Sequence, residues 1–154
     1  MLSTDQMTCI VLLFLAATLT LSGGSTSRKL IESIRSRRLR ILVIDDTDQF
    51  RESMIFVLTE IFGAVVTAVN SGRDAVELLR AGNAFNVIFL DLIMPNMNGL
   101  RTYEELGKVG AACRVLVMSA HPDSKEWEEA ESLGVELIEK PIPEEALIAI
   151  LSAS

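Results

Sequence analysis

Residues 89–99 read FLDLIMPNMNG. An apolar run, Val87-Ile88-Phe89-Leu90, stops at an acid, Asp91, and gives way to Pro95, two Asn and Gly99. A carboxylate at the end of a run suited to a buried strand is a chemical group held at a fixed place. Other groups are placed in the same way. Asp45 and Asp46 follow the run RILVI, Ser119 follows Arg114–Met118, and Lys140-Pro141 follows Val135–Glu139. Each has an ordinary explanation when taken alone, since an acid after a strand commonly ends a turn or caps a helix. As a set they are harder to explain in that way. Three carboxylates brought within a few ångströms repel one another by ~4 kcal/mol per pair at an effective dielectric near 20. Lys140 offsets one charge, and a divalent cation would offset the rest. All-oxygen ligation with some water retained suits Mg2+ better than zinc.

The elements that must bring these groups together are legible as an alternation. Strand patterns at Arg40–Ile44, Ala64–Val69, Asn86–Leu90, Arg114–Met118 and Val135–Glu139 are separated by helical patterns. The helices are expected at Asp48–Phe62, Arg73–Ala81, Leu100–Lys108, from a cap at Asp123 to Leu133, and at Pro143–Leu151. Gly63, Gly82, Gly110 and Gly134 stand where four of the helices should stop. Crossovers of this length are right-handed and make a parallel sheet covered on both faces. Runs such as ILVI and VIFL lack alternation, as strands buried on both faces do. The expected architecture is α/β, a doubly wound five-stranded parallel sheet. In such a sheet ligands gather at the carboxyl ends of the strands, which is where Asp45, Asp46, Asp91, Ser119 and Lys140 fall.

The order DD, then DLIMPNMNG, then S-A, then K-P resembles that of response-regulator receiver domains of two-component signalling. The resemblance covers about residues 40–152 and implies the flavodoxin-like receiver fold. It implies that Asp91 is the phosphoacceptor, charged from a phosphohistidine on a sensor histidine kinase or phosphotransfer protein with Mg2+ as cofactor. By the same resemblance Asp46 ligates the metal directly, Asp45 through a water, and Ile93 through its backbone carbonyl. Ser119 binds a phosphoryl oxygen, and Lys140 pairs with Asp91 before transfer and with the phosphoryl after it. It further implies that Ile93 and His121 flank the path of attacking water. The family's only catalysis is of its own phosphorylation and dephosphorylation, so no enzyme in the usual sense is expected. One position departs from the pattern. Leu137 stands where the family usually carries Tyr or Phe three residues before the lysine. That departure keeps open a second reading, a phosphorylation-independent interaction module. A phosphohydrolase of the haloacid-dehalogenase type is a third, but its chemistry wants an acid two residues after the nucleophile, where Ile93 stands.

Length and charge bound the rest. The chain has 154 residues, room for one domain, and 49% are apolar. Residues 1–40 carry a net +4 and residues 41–154 a net −11. So acidic a body lacks the cationic footprint that direct nucleic-acid binding needs. Two cysteines, Cys9 and Cys113, make neither a disulfide framework nor a metal cluster. Fourteen residues follow Lys140, which sets the expectation of a stand-alone receiver acting on a protein target that the sequence does not identify.

Residues 1–27 form an apolar segment, and 28–39 are expected to be a basic helical linker. Residues 7–21, MTCIVLLFLAATLTL, admit three readings: a membrane attachment holding a cytoplasmic domain, a secretory signal without its positive n-region, or a mis-assigned start or appendage that does not fold. As a helix the fifteen apolar residues span only ~22 Å.

Overall fold

A computed structural model of the chain describes residues 24–95 and 97–154. Five strands form one parallel sheet: β1 (Arg40–Ile44), β2 (Val65–Val69), β3 (Val87–Asp91), β4 (Arg114–Ser119) and β5 (Leu137–Glu139). Their spatial order is β2-β1-β3-β4-β5. The chain winds outward from β1 to one edge, reverses, and continues through β3 to the other edge, which is the doubly wound topology expected. Among the described residues six α-helices accompany them: α1 (Ser25–Arg37), α2 (Asp48–Phe56), α3 (Gly72–Arg80), α4 (Gly99–Lys108), α5 (Lys125–Ser132) and α6 (Glu144–Ser152).

The apolar runs explain the layers. Alternate residues of one strand point to opposite faces. Ile41 and Val43 enter a core with Met54, Leu58, Phe62, Phe89 and Leu147. Leu42 and Ile44 enter a second core with Val76, Leu90, Leu106 and Ala130. Burying both faces of β1 and β3 is what allowed their sequences to lose alternation.

Most boundaries fall within a residue of the periodic pattern, and three larger or capping differences have identifiable causes. The second helix ends its α-helical part at Phe56 and continues as a π-helical turn, Val57–Ile61. Thr59 Oγ1 donates to the carbonyl of Ile55 at 2.7 Å, and Arg35 Nη1 donates to those of Glu60 and Ile61 at 2.6 and 2.8 Å. The Arg35 bonds satisfy carbonyls at the helix C-terminus, which have no intrahelical partner. The cap of α5 is Ser124, whose Oγ accepts from the Trp127 amide at 3.2 Å, rather than Asp123. Strand β5 begins at Leu137 rather than Val135, because the Val135 amide is bonded back to Ala130 O at 3.1 Å as the chain leaves α5.

The basic stretch 28–39 is helical for most of its length, as expected, and it packs on the sheet layers instead of standing off them. Ile34 is 1% exposed and Leu39 is also buried, both within the first core. Arg35 closes the C-terminal end of the π turn. Arg37 reaches the C-terminus of α6, donating to Leu151 O and to Ser154 O. Two cations thus satisfy carbonyls at helix ends, where partial negative charge gathers.

Membrane attachment of a cytoplasmic domain is not upheld. Among the described residues no helix is long and apolar enough to cross a bilayer. The stretch 7–21 on which that expectation rested lies outside the described residues.

If α1 is integral to the fold, shortening its buried contact must cost stability. Ile34→Ala should lower unfolding free energy by about 2–5 kcal/mol through lost burial and the cavity left behind. Urea denaturation of the two proteins reads this directly, and a midpoint shift near zero would show α1 to be an appendage.

Candidate functional site

All five strands run the same way, so the ends of β1, β3, β4 and β5 meet at one edge of the sheet. Asp91 is the last residue of β3, in register with Met118 of β4. Asp45 follows β1, its amide bonded to Val69 O at 3.2 Å. Each of Asp45, Asp46 and Asp91 offers a carboxylate oxygen, and these oxygens lie within 4.8 Å of one another. Asp45 is fully buried, Asp91 is 6% exposed, and Asp46 faces solvent.

One ammonium joins the two buried acids. Lys140 Nζ donates to Asp45 Oδ2 at 2.5 Å and to Asp91 Oδ1 at 2.8 Å. The Lys140 amide donates to Ser119 O at 2.8 Å, which pins the β5 exit to the end of β4. The following Lys140-Pro141 bond is cis. Asp45 is held further by the Thr47 amide on Oδ1, at 2.8 Å, and by Arg51 Nη1 on its backbone carbonyl, at 2.6 Å. Arg51 also pairs with Asp48. Ser119 is buried, and its Oγ accepts from the His121 amide at 3.0 Å.

Burial is the largest influence on the Asp91 carboxyl and pushes its pKa up to about 6. Lys140 pulls against this by hydrogen bond and charge, while Asp45 and Asp46 add to the rise. Desolvation favours the neutral acid, and one lysine shared between two carboxylates does not fully reverse it.

The loop after Asp91 folds back over it. The Leu92 amide bonds to Met118 O at 2.8 Å, and the Gly99 amide to Leu92 O at 2.9 Å. A Cβ at Gly99 would fall 2.5 Å from Asp91 O and 2.6 Å from Leu92 Cα. No side chain fits there, so glycine at position 99 is dictated by backbone approach. Asn98 then caps α4, accepting from the Arg101 amide at 2.9 Å.

Asp45, Asp46, Asp91, Ser119 and Lys140 lie at this edge of the sheet, and Ile93 and His121 lie in loops that leave it. Asp45, Asp46, Asp91 and Lys140 form one cluster, with Ser119 bound to Lys140 through the backbone. Ile93 lies two residues beyond Asp91, 40% exposed. His121 is exposed, and Leu137 is half-buried against the second core. Thr47, Phe50 and Arg51 also take part, although strand-end position does not mark them. Arg51 bears a signal in hindsight: a cation one helical turn into α2 after an acidic pair, on the turn nearest those acids. Phe50, whose ring centroid lies 4.2 Å from Lys140 Nζ, shows in the sequence only the helical spacing of a core position. The donor set is carboxylate oxygen, buried on one side and open on the other through Asp46, which suits a hard divalent cation.

Comparison with known proteins agrees with this geometry. The family model described as the response regulator receiver domain matches residues 41–152. The transcriptional regulatory protein FixJ of Azorhizobium caulinodans is 40% identical over 119 residues, covering 75% of this chain and 54% of FixJ. The transcriptional regulatory protein DegU of Brevibacillus brevis is 34% identical over 93 residues, covering 60% of this chain and 39% of DegU. The match thus spans about half or less of these relatives' length. The receiver domain of the Francisella response regulator 1452 superposes with a TM-score of 0.60 at 28% identity, covering 75% of this chain and 97% of that one. Such domains catalyse only their own phosphorylation and dephosphorylation. With its clustered aspartates at the sheet edge, the chain belongs to the receiver domains of two-component response regulators.

Proposed function

We propose that Asp91 accepts a phosphoryl group from a phosphohistidine on a sensor histidine kinase or phosphotransfer protein. The single observation carrying this is the buried Asp91 carboxylate bonded to Lys140 beside two further acids. A carboxylate oxygen of Asp91 attacks phosphorus as the bond to the imidazole nitrogen breaks, and the electron pair leaves with the imidazole. Asp45, Asp46, Asp91 and the Ile93 carbonyl would hold Mg2+, which when bound neutralises the spreading phosphoryl charge. Lys140 exchanges its bond to Asp91 for one to a phosphoryl oxygen. Ser119 Oγ accepts from His121, which leaves its hydroxyl hydrogen to donate to that group.

The same hydroxyl supports a route outward. If Ser119 turns toward the phosphoryl, its bond to the His121 amide is disturbed, three residues before the α5 cap at Ser124. The face built by α5, β5 and α6 is then the surface a partner protein reads. A second reading rests on Leu137, which is packed against the second core and has no ring to swing. On that reading the surface binds its partner whether or not Asp91 is phosphorylated.

Three outcomes test the proposal. Incubated with acetyl phosphate and Mg2+, the chain should gain the mass of one phosphoryl group, and neither Asp91→Asn nor chelation by EDTA should allow it. No gain in the wild type sinks the chemistry. In the metal-free protein Asp91 should titrate at about 6 by carboxyl NMR, and Mg2+, favouring the carboxylate, should move the midpoint down. Because the folded acid holds its proton more tightly than the unfolded one, metal-free stability should fall as pH rises from about 4 to about 6. A midpoint in the ordinary carboxylate range, or one unmoved by Mg2+, contradicts this. Finally, the exposed apolar Ile93 should screen the acyl phosphate from water. Ile93→Asn should shorten its lifetime several-fold, and equal lifetimes would remove Ile93 from the account.

A further inference from the structure

Lys140 is asked to hold two acids now and a phosphoryl group later, on a flexible four-carbon stem that carries about 2 kcal/mol of rotamer entropy. Two of its three N–H groups meet carboxylate oxygens. A third side is covered by an aromatic ring. The Phe50 ring centroid lies 4.2 Å from Nζ, well inside the roughly 6 Å range of a cation–π contact. The Lys140 side chain is 13% exposed, so this contact is made largely out of water, where it is strongest.

Phe50 is delivered by the turn that also builds the acidic site. It stands in the first turn of α2, next to Arg51, whose amide bonds to Thr47 O and whose guanidinium holds the Asp45 carbonyl. The ring is only half-buried. It packs on the first core and, with Met54, Ile142 and Leu147, lines an apolar groove of about 350 Å³ between α2 and α6. Core packing alone therefore does not account for a ring placed over the ammonium.

We propose that Phe50 is a positioning residue for phosphoryl transfer, its ring holding the Lys140 ammonium at the junction of Asp45 and Asp91. The proposal rests on the reading of Asp91 as phosphoacceptor. A ring suits the task because it attracts a cation without bringing a net charge. A carboxylate in its place would add a fourth negative group and repel the incoming phosphoryl. An aliphatic side chain would fill the space without attracting the ammonium, leaving the two carboxylates alone to position it.

The test compares Phe50→Leu with Phe50→Tyr in the full chain. The first keeps apolar bulk and removes the ring, and the second keeps the ring. In the wild type the Lys140 ε-methylene protons should show a ring-current shift upfield, preserved in Phe50→Tyr and lost in Phe50→Leu. With acetyl phosphate and Mg2+, Phe50→Leu should lower the saturating phosphorylation rate about 3- to 30-fold, the range expected of a partly to fully desolvated cation–π contact. Its half-saturating acetyl phosphate concentration should stay near the wild-type value, and Phe50→Tyr should restore the rate. A wild-type rate in Phe50→Leu overturns the proposal. So does a Phe50→Tyr variant as slow as Phe50→Leu, which would make the loss one of packing. The NMR shift needs no phosphorylation, so a wild type that takes no phosphoryl defeats the functional reading while the shift still judges the ring contact.

Discussion

A buried carboxylate next to two others is unstable unless something positive lies among them, and in this chain that something is Lys140. Its Nζ sits 2.5 Å from Asp45 and 2.8 Å from Asp91. The three residues come from positions 45, 91 and 140, so only the completed sheet can bring them together. The balance is incomplete: one ammonium faces three acids, and the pKa of Asp91 still rises to about 6. That shortfall is the physical opening for a divalent cation. A site with enough lysines to be neutral by itself would have little use for one.

The surrounding structure serves this incomplete balance. Parallel strands deliver the acids to one edge. Gly99 lets the loop after β3 lie directly on the Asp91 backbone. Thr47 and Arg51 fix Asp45 from its own side, and the bond from Lys140 N to Ser119 O fixes the lysine backbone from the other. The remaining freedom is in the lysine stem, and Phe50 lies where that freedom would be spent.

Apolar runs and helical spacing made the five strands and their order along the chain legible, and the strand-end residues made the site legible. This works because burial on both faces and the parallel direction are stated by local sequence. What stayed hidden depends on distant residues. The π turn at Val57–Ile61 is completed by Arg35, which lies 25 and 26 residues from the carbonyls it takes. The packing of α1 depends on Ile34 finding a core to which all five later strands contribute. The Lys140 bond to Asp45 spans 95 residues; strand-end positions bring the lysine among the acids, but nothing near either residue selects Asp45 as its second partner. Phe50 was hidden in a different way. One residue type at one helical position serves both a core and a cation, and periodicity registers only the first.

Phosphorylation would replace the single charge of the Asp91 carboxylate with an acyl phosphate of about −1.5 to −2, adding up to about one negative charge to a pocket whose single ammonium is already shared. Lys140 cannot serve Asp45, Asp91 and a phosphoryl group equally, so the arrangement of donors must change. The Ser119 hydroxyl and Lys140 are two donors at this edge, and they belong to the ends of β4 and β5. Those two strand ends lead into α5 and α6. With Leu137 in place of a ring, rearrangement would travel through the backbone, from Ser119 to the His121 amide and on to the Ser124 cap. Demand for positive charge at the edge of the sheet would thus be felt first by the segment that joins the site to its outer surface.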